Sequence, residues 1–154
     1  MIVVSDTTAL TTLIKAEMEG LLPQLFERIF IPGEVRYELL AFHPELPDVC
    51  EVRPVSPGPL LSELMATIDA GEAEAIALAV EMRVSVLLID DRKGRRQAEA
   101  LGLTCLALPA VLTAARRERL IPSLKEAFVR IDAFGNYRVA DAAAKILLES
   151  VGEG

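Results

Sequence analysis

The residues of this chain best suited to chemistry are acids that end two apolar segments. Asp6 follows the apolar residues 2–4, and the pair Asp90 and Asp91 follows the apolar residues 86–89. A carboxylate at the end of a buried strand is unfavourable unless a partner or a ligand uses it. Because hard divalent cations prefer oxygen ligands, the two segments predict one acidic pocket that binds such a cation.

The helix predicted after Pro32 carries two glutamates, and the helical pattern favours one of them as a site residue. At about 100° per residue, Glu38 lies nearer to the apolar stripe than Glu34 does. Glu34 also suits the first turn, where an acid complements the helix dipole. We therefore predict that Glu38 belongs to the pocket and that Glu34 is a surface residue. The apolar stripe consists of Val35, Leu39 and Phe42.

The segment 71–76 presents the same choice between two glutamates. Glu72 projects on the side that carries Ile76, whereas Glu74 projects almost opposite, beside Glu81. A carboxylate on the buried face needs a partner, and one beside another glutamate is ordinary solvated surface. Glu72 is therefore the predicted site residue, and Glu74 is the less favoured alternative.

The adjacent acids Asp90 and Asp91 are expected to differ in role, because successive residues of an extended chain point to opposite sides. One can face the pocket while the other caps the next helix, and periodicity leaves that choice open. We place Asp90 first and keep Asp91 as a second ligand. The catalytic candidates are Asp6, Glu38, Glu72 and Asp90, and the metal-binding candidates are Asp6, Glu72, Asp90 and Asp91.

Four carboxylates from separate elements are unfavourable to bury without cations, because like charges raise each other's pKa. The set fits Mg²⁺ or Mn²⁺ as a cofactor. Such a site supports hydrolysis of phosphodiester bonds, in which the metal activates a water and stabilises charge on the phosphate. The sequence supplies no clear histidine or serine nucleophile, and His43, before Pro44 in a predicted loop, is given no role.

Composition limits the class of protein. The chain has 154 residues, 52% hydrophobic and 25% charged, which fits one globular domain over residues 1–154. Asp6 interrupts the first apolar residues and no apolar run could cross a bilayer, so we expect a soluble, cytoplasmic protein without a signal peptide. Cys50 and Cys105 are predicted to be buried without a disulfide, and with one histidine they cannot close a zinc site.

The net charge of −7 argues against broad, nonspecific binding of nucleic acid, which needs many basic contacts. It allows local contacts beside an acidic metal site. Arg92, Lys93 and Arg95 form a locally basic stretch and are the candidates for substrate binding. A second basic stretch, 116–119, is predicted to be a solvated helix face.

Apolar strands alternate with helices along the chain, which predicts an α/β fold with a parallel sheet covered on both faces. Ligands of such sheets bind at the carboxyl ends of strands, where the strand order reverses. A hydroxyl of Thr7 or Thr8 is expected to cap the first helix. The predicted strands are 2–5, 28–31, 50–55, 85–89 and 104–107. The predicted helices are 7–17, 21–26, 33–41, 60–69, 72–82 and 93–101, with Gly71 as an interruption and a mostly helical remainder.

The order of these motifs resembles that of the PIN-domain ribonucleases. Residues 4–10 (VSDTTAL) resemble the start of that family, and the residues around Ile31-Pro32 and Glu38-Leu39-Leu40 are similar to its second acidic motif. Residues 71–75 (GEAEA) and 88–95 (LIDDRKGR) look like the third and fourth motifs. The resemblance covers about residues 2–122.

The resemblance implies a three-layer α/β/α sandwich around a parallel five-stranded sheet. It also implies Mg²⁺- or Mn²⁺-dependent cleavage of RNA, and in the VapC-like toxin branch a role as the toxin of a toxin–antitoxin pair that dimerises and binds an antitoxin protein. By this resemblance Asp6, Glu38, Glu72 and Asp90 are the metal-site acids. Thr7 or Thr8 matches the hydroxyl residue beside the first aspartate, and Thr7 is the substrate-binding candidate.

Two departures leave open whether the chain resembles the toxin branch itself or a close subgroup of the family. The third acid is a glutamate, and the fourth motif lacks the threonine that often precedes the aspartate by two. A helical extension is predicted from about residue 122, and it covers its own sheet, packs a dimer or receives a partner. Its apolar positions are Ala140, Ala143, Ala144, Ile146 and Leu147.

Two other functions fit parts of the pattern. A Mg²⁺-dependent phosphatase that forms an aspartyl-phosphate would use Asp6 with a helper two residues on, at Thr8, but no lysine is clearly placed to bind phosphate. A non-catalytic binding module would keep the acidic pocket without turnover.

Overall fold

The computed structural model describes residues 1–154, which form five strands and nine helices. The strands are β1 (Ile2–Ser5), β2 (Arg28–Ile31), β3 (Cys50–Val52), β4 (Val86–Leu88) and β5 (Thr104–Leu106). The helices are α1 (Thr7–Lys15), α2 (Leu21–Leu25), α3 (Gly33–Leu40), α4 (Pro59–Met65), α5 (Ala70–Met82), α6 (Arg92–Ala100), α7 (Leu108–Arg117), α8 (Leu124–Gly135) and α9 (Asp141–Ser150).

The five strands form one parallel sheet in the order β3-β2-β1-β4-β5. Strand β1 pairs with β2 on one side, where Val4 is opposite Phe30, and with β4 on the other, where Val4 is opposite Leu87. Strands β2 and β3 extend the sheet on one side of β1. The chain then crosses to the other side of β1, where β4 and β5 lie. The strand order therefore reverses between β1 and β4, which is where open α/β sheets bind ligands.

Alternation along the strands divides the core into two layers, as the period of two requires. On β1, Val3 packs in a core with α1, α7 and α8, whereas Val4 packs in a second core with α4, α5 and α6. On β4, Leu88 faces the first core and Leu87 the second. The sheet is thus covered by helices on both faces, and the predicted α/β/α sandwich is confirmed.

The start of α5 differs from its prediction. Gly71 does not interrupt a helix but lies inside the first turn of α5, which begins at Ala70. Asp69 is the cap, because its Oδ1 accepts a hydrogen bond of 2.9 Å from the Glu72 amide. This cap starts the helix two residues before the predicted position.

Three side chains lie elsewhere than predicted. Phe42 is 78% exposed rather than part of the apolar stripe, because α3 ends at Leu40 and the helical periodicity does not continue past that residue. Cys50 and Cys105 are free as predicted, but each is half-buried rather than buried. Burial raises the pKa of the Cys50 thiol to about 12.

Only one side of the final helix, α9, packs against the rest of the protein. Ala144 and Leu147 of α9 pack against the first core, whereas Ile146 is 67% exposed. The predicted apolar positions therefore do not form a single buried stripe. None of the helices combines the length and apolarity needed to cross a bilayer.

Candidate active site

Asp6 lies at the carboxyl end of β1, directly beside the end of β4. Its backbone amide donates a hydrogen bond of 2.9 Å to the Leu88 carbonyl, which joins the two strand ends. The residue occupies the cap position of α1, but its side chain makes no capping hydrogen bond. Only 7% of Asp6 is exposed. Helix capping therefore does not explain why a buried carboxylate stands here.

Glu38 reaches the same strand end from α3. Its Oε2 accepts a hydrogen bond of 2.7 Å from the Thr7 hydroxyl. The prediction that a Thr7 or Thr8 hydroxyl caps α1 is wrong, because α1 has no side-chain cap and the Thr7 hydroxyl is used across the site. Because Asp6 directly precedes Thr7, this hydrogen bond holds the Glu38 carboxylate close to Asp6.

Gly71 marks the point where α5 passes between these two acids. A Cβ at this position would lie 2.5 Å from Glu38 Oε1 and 3.4 Å from Asp6 Oδ1. Only glycine allows the first turn of α5 to approach both carboxylates this closely. Sequence reasoning treated Gly71 as a helix breaker and missed this packing role.

Glu72 enters the site one residue later on the same helix. It is 6% exposed, on the buried face as the helical pattern predicts. A Cβ at Gly94 would lie 3.3 Å from Glu72 Oε1, so the first turn of α6 approaches this carboxylate. The cap Asp69 is a further acid of the cluster that sequence reasoning missed. Its spacing three residues before Glu72 is the helix-start signature that could have found it.

Glu34 and Glu74 form a contact at the rim of the site. The Glu34 amide donates a hydrogen bond of 3.1 Å to Glu74 Oε1, and both residues are half-buried. The interpretation of these two as ordinary solvated surface is wrong, because the start of α3 packs against α5 and covers that face. Their charges also help to raise the pKa of Glu38.

Asp90 and Asp91 take the two different roles that an extended chain allows. Asp91 caps α6, since one of its oxygens accepts a hydrogen bond of 2.9 Å from the Gly94 amide. Asp90 turns inward, and its Oδ1 accepts hydrogen bonds from the Leu108 amide (2.7 Å) and the Tyr137 hydroxyl (2.9 Å). The other oxygen, Oδ2, is buried without a hydrogen-bond partner.

The acids of the site resist ionisation. Burial raises the pKa of Asp6 to about 7, with the nearby carboxylates of Asp69, Glu38 and Asp90 adding to the effect. Burial also raises the pKa of Glu72 to about 9, again with a contribution from Asp69. The pKa values of Glu38 and Asp90 are raised by burial as well. Burial and the mutual repulsion of the carboxylates therefore both disfavour negative charge at this site.

The basic residues of the fourth motif differ in placement. Arg92 and Lys93 are exposed on the first turn of α6, beside the capping residue Asp91. Arg95 is half-buried, and its charge opposes the burial that raises the pKa of Asp90. None of the five ion pairs in the structure involves a site acid. Arginine or lysine therefore does not neutralise the cluster directly.

The donor set fits a hard divalent cation by its chemistry. It consists of carboxylate oxygens, one of which, Asp90 Oδ2, is buried without a partner. Burial and the neighbouring carboxylates raise the pKa values of Asp6 and Glu72, and a bound cation would oppose both effects. No three histidine, cysteine, aspartate or glutamate side chains already stand close enough together to enclose a metal ion. Binding would therefore draw the carboxylates inward from the positions seen here.

Other sites are less suited to the predicted chemistry. A cavity of about 600 Å³, lined by residues such as Met18, Val129 and Phe134, contains none of the site acids. His43 is buried, and its Nε2 shares a hydrogen bond of 2.7 Å with the Thr11 hydroxyl away from these acids.

The parallel sheet and its acidic strand ends define an α/β protein with a candidate site at the reversal of strand order. A family model described as a PIN domain matches residues 2–153, and the chain belongs to the PIN-domain family. Proteins of this family are generally nucleases and typically use divalent metal ions. The matched range includes the helices that follow residue 122. A search of curated proteins gave no match.

Proposed function

We propose that this protein is a Mg²⁺- or Mn²⁺-dependent endoribonuclease that hydrolyses phosphodiester bonds in RNA. One observation carries the proposal. Four elements bring the carboxylates of Asp6, Glu38, Glu72 and Asp90 to the reversal of strand order, where burial raises the pKa of each and no basic side chain pairs with them.

The residues divide into ligands and a proton acceptor. Asp6, Glu72 and Asp90 are the ligands we propose, and Asp91 can add its second oxygen because capping uses only one. When bound by these residues, a divalent cation would supply the positive charge that polarises a phosphodiester and activates a water. Glu38 is suited to accept the proton of that water at Oε1, since its Oε2 already accepts from Thr7.

RNA is the substrate we propose, and the basic side chains around the site support contact with a phosphate backbone. Arg92 and Lys93 are exposed at the rim, and Arg95 lies close enough to act on Asp90. Basic side chains beside a nuclease site position the phosphate backbone rather than read the bases. Because the net charge is −7, we expect contact with the nucleic acid to be confined to this local patch.

We further propose that the protein acts in the cytoplasm as the toxin of a toxin–antitoxin pair and forms a homodimer. Its membership of the PIN-domain family and its small size, 154 residues, support this role. The expected partner is a small DNA-binding protein that binds this chain and whose gene lies directly upstream. Sedimentation of the purified chain as a monomer would remove the dimer from the proposal.

The test combines metal binding with RNA cleavage. We expect calorimetry to detect Mn²⁺ binding and a single-stranded RNA to be cut with Mn²⁺ or Mg²⁺ but not with EDTA. Asp6→Asn and Asp90→Asn should abolish cleavage while circular dichroism shows a folded protein. Asp132→Asn is the matched control, because Asp132 is an exposed aspartate of α8 outside the site.

Two results would contradict the proposal in different ways. Mn²⁺ binding without cleavage of any RNA would favour a non-catalytic binding module. An acid-stable phosphoenzyme on Asp6 after incubation with a phosphate ester would favour the aspartyl-phosphate phosphatase instead.

A further inference from the structure

Tyr137 connects the segment between α8 and α9 to the candidate site. We propose that Tyr137 is a positioning residue that holds Asp90 so that the free carboxylate oxygen faces the metal pocket. The inference rests on the proposed function, since it assigns a role in forming that same site. The observation behind it is the hydrogen bonding of the Asp90 carboxylate, in which the Tyr137 hydroxyl, 47 positions further along the chain, is a donor.

The two oxygens of Asp90 are used very differently. Oδ1 accepts from two donors, the Leu108 amide at 2.7 Å and the Tyr137 hydroxyl at 2.9 Å. Oδ2 is buried and accepts from none. Two donors on one oxygen fix the rotation of a carboxylate, and the second oxygen is then left to bind a ligand. A buried carboxylate oxygen without a partner is unfavourable unless a ligand uses it.

The backbone turn at residues 135–137 brings Tyr137 close to Asp90. A Cβ at Gly135 would lie 2.7 Å from Thr12 Cγ2 and 3.1 Å from the Thr12 carbonyl oxygen, so glycine lets the end of α8 press against α1. Asn136 then adopts a left-handed conformation with φ of 52°, which turns the chain. The Tyr137 amide closes the turn with a hydrogen bond of 3.1 Å to the Ile131 carbonyl.

Packing alone does not explain the tyrosine at this position. Its ring packs against the first core, which a phenylalanine would do equally well. The hydroxyl adds a polar group in a half-buried place, and its one hydrogen bond goes to Asp90. Residues that donate a hydrogen bond to a metal ligand orient that ligand and affect the metal affinity.

The test compares Tyr137→Phe with Tyr37→Phe in the full chain. Tyr37 is the matched control, because it is the other of the two tyrosines and is 70% exposed. Mn²⁺ affinity is measured from the electron paramagnetic resonance signal of free Mn²⁺. We expect Tyr137→Phe to weaken binding about 10- to 100-fold, the usual effect of removing such a partner, and Tyr37→Phe to leave it unchanged.

A second readout locates the ion relative to the ring. The chain has no tryptophan, so tyrosine is the donor for sensitised Tb³⁺ luminescence. We expect the emission to be lost in Tyr137→Phe and kept in Tyr37→Phe. Both measurements are made at a temperature where circular dichroism shows every variant folded, so an earlier unfolding of Tyr137→Phe does not affect the comparison.

The outcomes separate this inference from the function on which it rests. If the wild type binds Mn²⁺ and Tyr137→Phe binds it equally well, the positioning role is overturned and the nuclease proposal stands. If the wild type binds neither Mn²⁺ nor Tb³⁺, the proposed function fails, and the positioning role fails with it.

Discussion

At the scale of single residues, Asp6 shows how burial controls charge. Its carboxyl has a pKa of about 7 in the folded protein, against an ordinary value of 3.8. Below about pH 4 the group is protonated both folded and unfolded. Between about pH 4 and pH 7 only the folded state keeps the proton, so stability falls as the pH rises. The metal-free protein is therefore expected to be least stable on the alkaline side of this range.

Asp6→Asn should relieve this destabilisation. In the absence of metal we expect the variant to be more stable than the wild type at about pH 8, by on the order of 1–3 kcal/mol, because the amide carries no charge into the cluster. At about pH 4 the difference should vanish. Urea denaturation at the two pH values measures it, with Asp132→Asn as the control. An equal gain at both pH values would show that the effect is not electrostatic.

Glu72 and Glu74 provide a second test at the residue scale. Glu72→Gln should reduce Mn²⁺-dependent cleavage at least about 100-fold, because it removes a buried carboxylate that we propose as a ligand. Glu74→Gln should reduce it no more than about 3-fold, since its amide oxygen can still accept from the Glu34 amide. Initial rates of cleavage of one labelled RNA measure both. Equal losses would contradict the assignment of the two helix faces.

At the scale of elements, the approach of α5 to α3 depends on Gly71. Alanine there favours the helix by up to about 1 kcal/mol, and the atom it would meet first is the far end of the flexible Glu38 side chain. We expect Gly71→Ala to keep or raise the melting temperature. Cleavage should fall about 10- to 100-fold, because the carboxylate must move away from its place beside Thr7.

Gly33→Ala is the matched control for this prediction. Gly33 begins α3, and a Cβ there meets nothing within 4 Å. Melting curves and cleavage rates of the two variants are compared with the wild type. If Gly71→Ala cleaves RNA at the wild-type rate, the close approach of α5 is not needed for the site.

The helices and strands also show which features the local sequence patterns can predict. The apolar runs predict β1 and β2 with their observed limits, because the residues of a central strand are buried on both faces. The helical period places Glu72 on the buried face, but the same method fails at Phe42 because α3 ends at Leu40. The helical period also predicts Glu74 at the surface, because periodicity describes one helix and does not show that α3 covers this residue.

At the scale of the whole molecule, Glu153 links the end of the chain to the start of α8. Its carboxylate accepts hydrogen bonds from the Leu124 amide (2.7 Å), the Lys125 amide (3.1 Å) and the Ser123 hydroxyl (2.9 Å). Arg116 of α7 donates a further one at 3.0 Å. These donors lower the pKa of Glu153 to about 2. One side chain therefore holds the chain after α9 against two other helices.

Glu153→Gln should weaken this link in a way that depends on pH. A lowered pKa means that the carboxylate stabilises the fold above about pH 4.5, and this contribution is lost as the pH falls towards about 2. We expect the variant to melt below the wild type at about pH 7, with a smaller difference at about pH 3. Calorimetric melting curves measure it, and Glu149→Gln, at an exposed position of α9, is the control. A constant difference would contradict the electrostatic link.

The sequence by itself determined the α/β class, the acids at the ends of β1 and β4, and membership of the PIN-domain family, because alternation and strand-end acids are local properties of the chain. Only the tertiary structure decided that Asp91 caps α6 while Asp90 turns inward, that Gly71 fits between two carboxylates, and that Tyr137 reaches Asp90. The Asp91 cap is local, but which of the two aspartates turns inward depends on the Leu108 and Tyr137 donors, and the other contacts also join residues far apart in the chain. No local pattern specifies which distant side chain fills a given space. The packing of the helices on the sheet selects those partners.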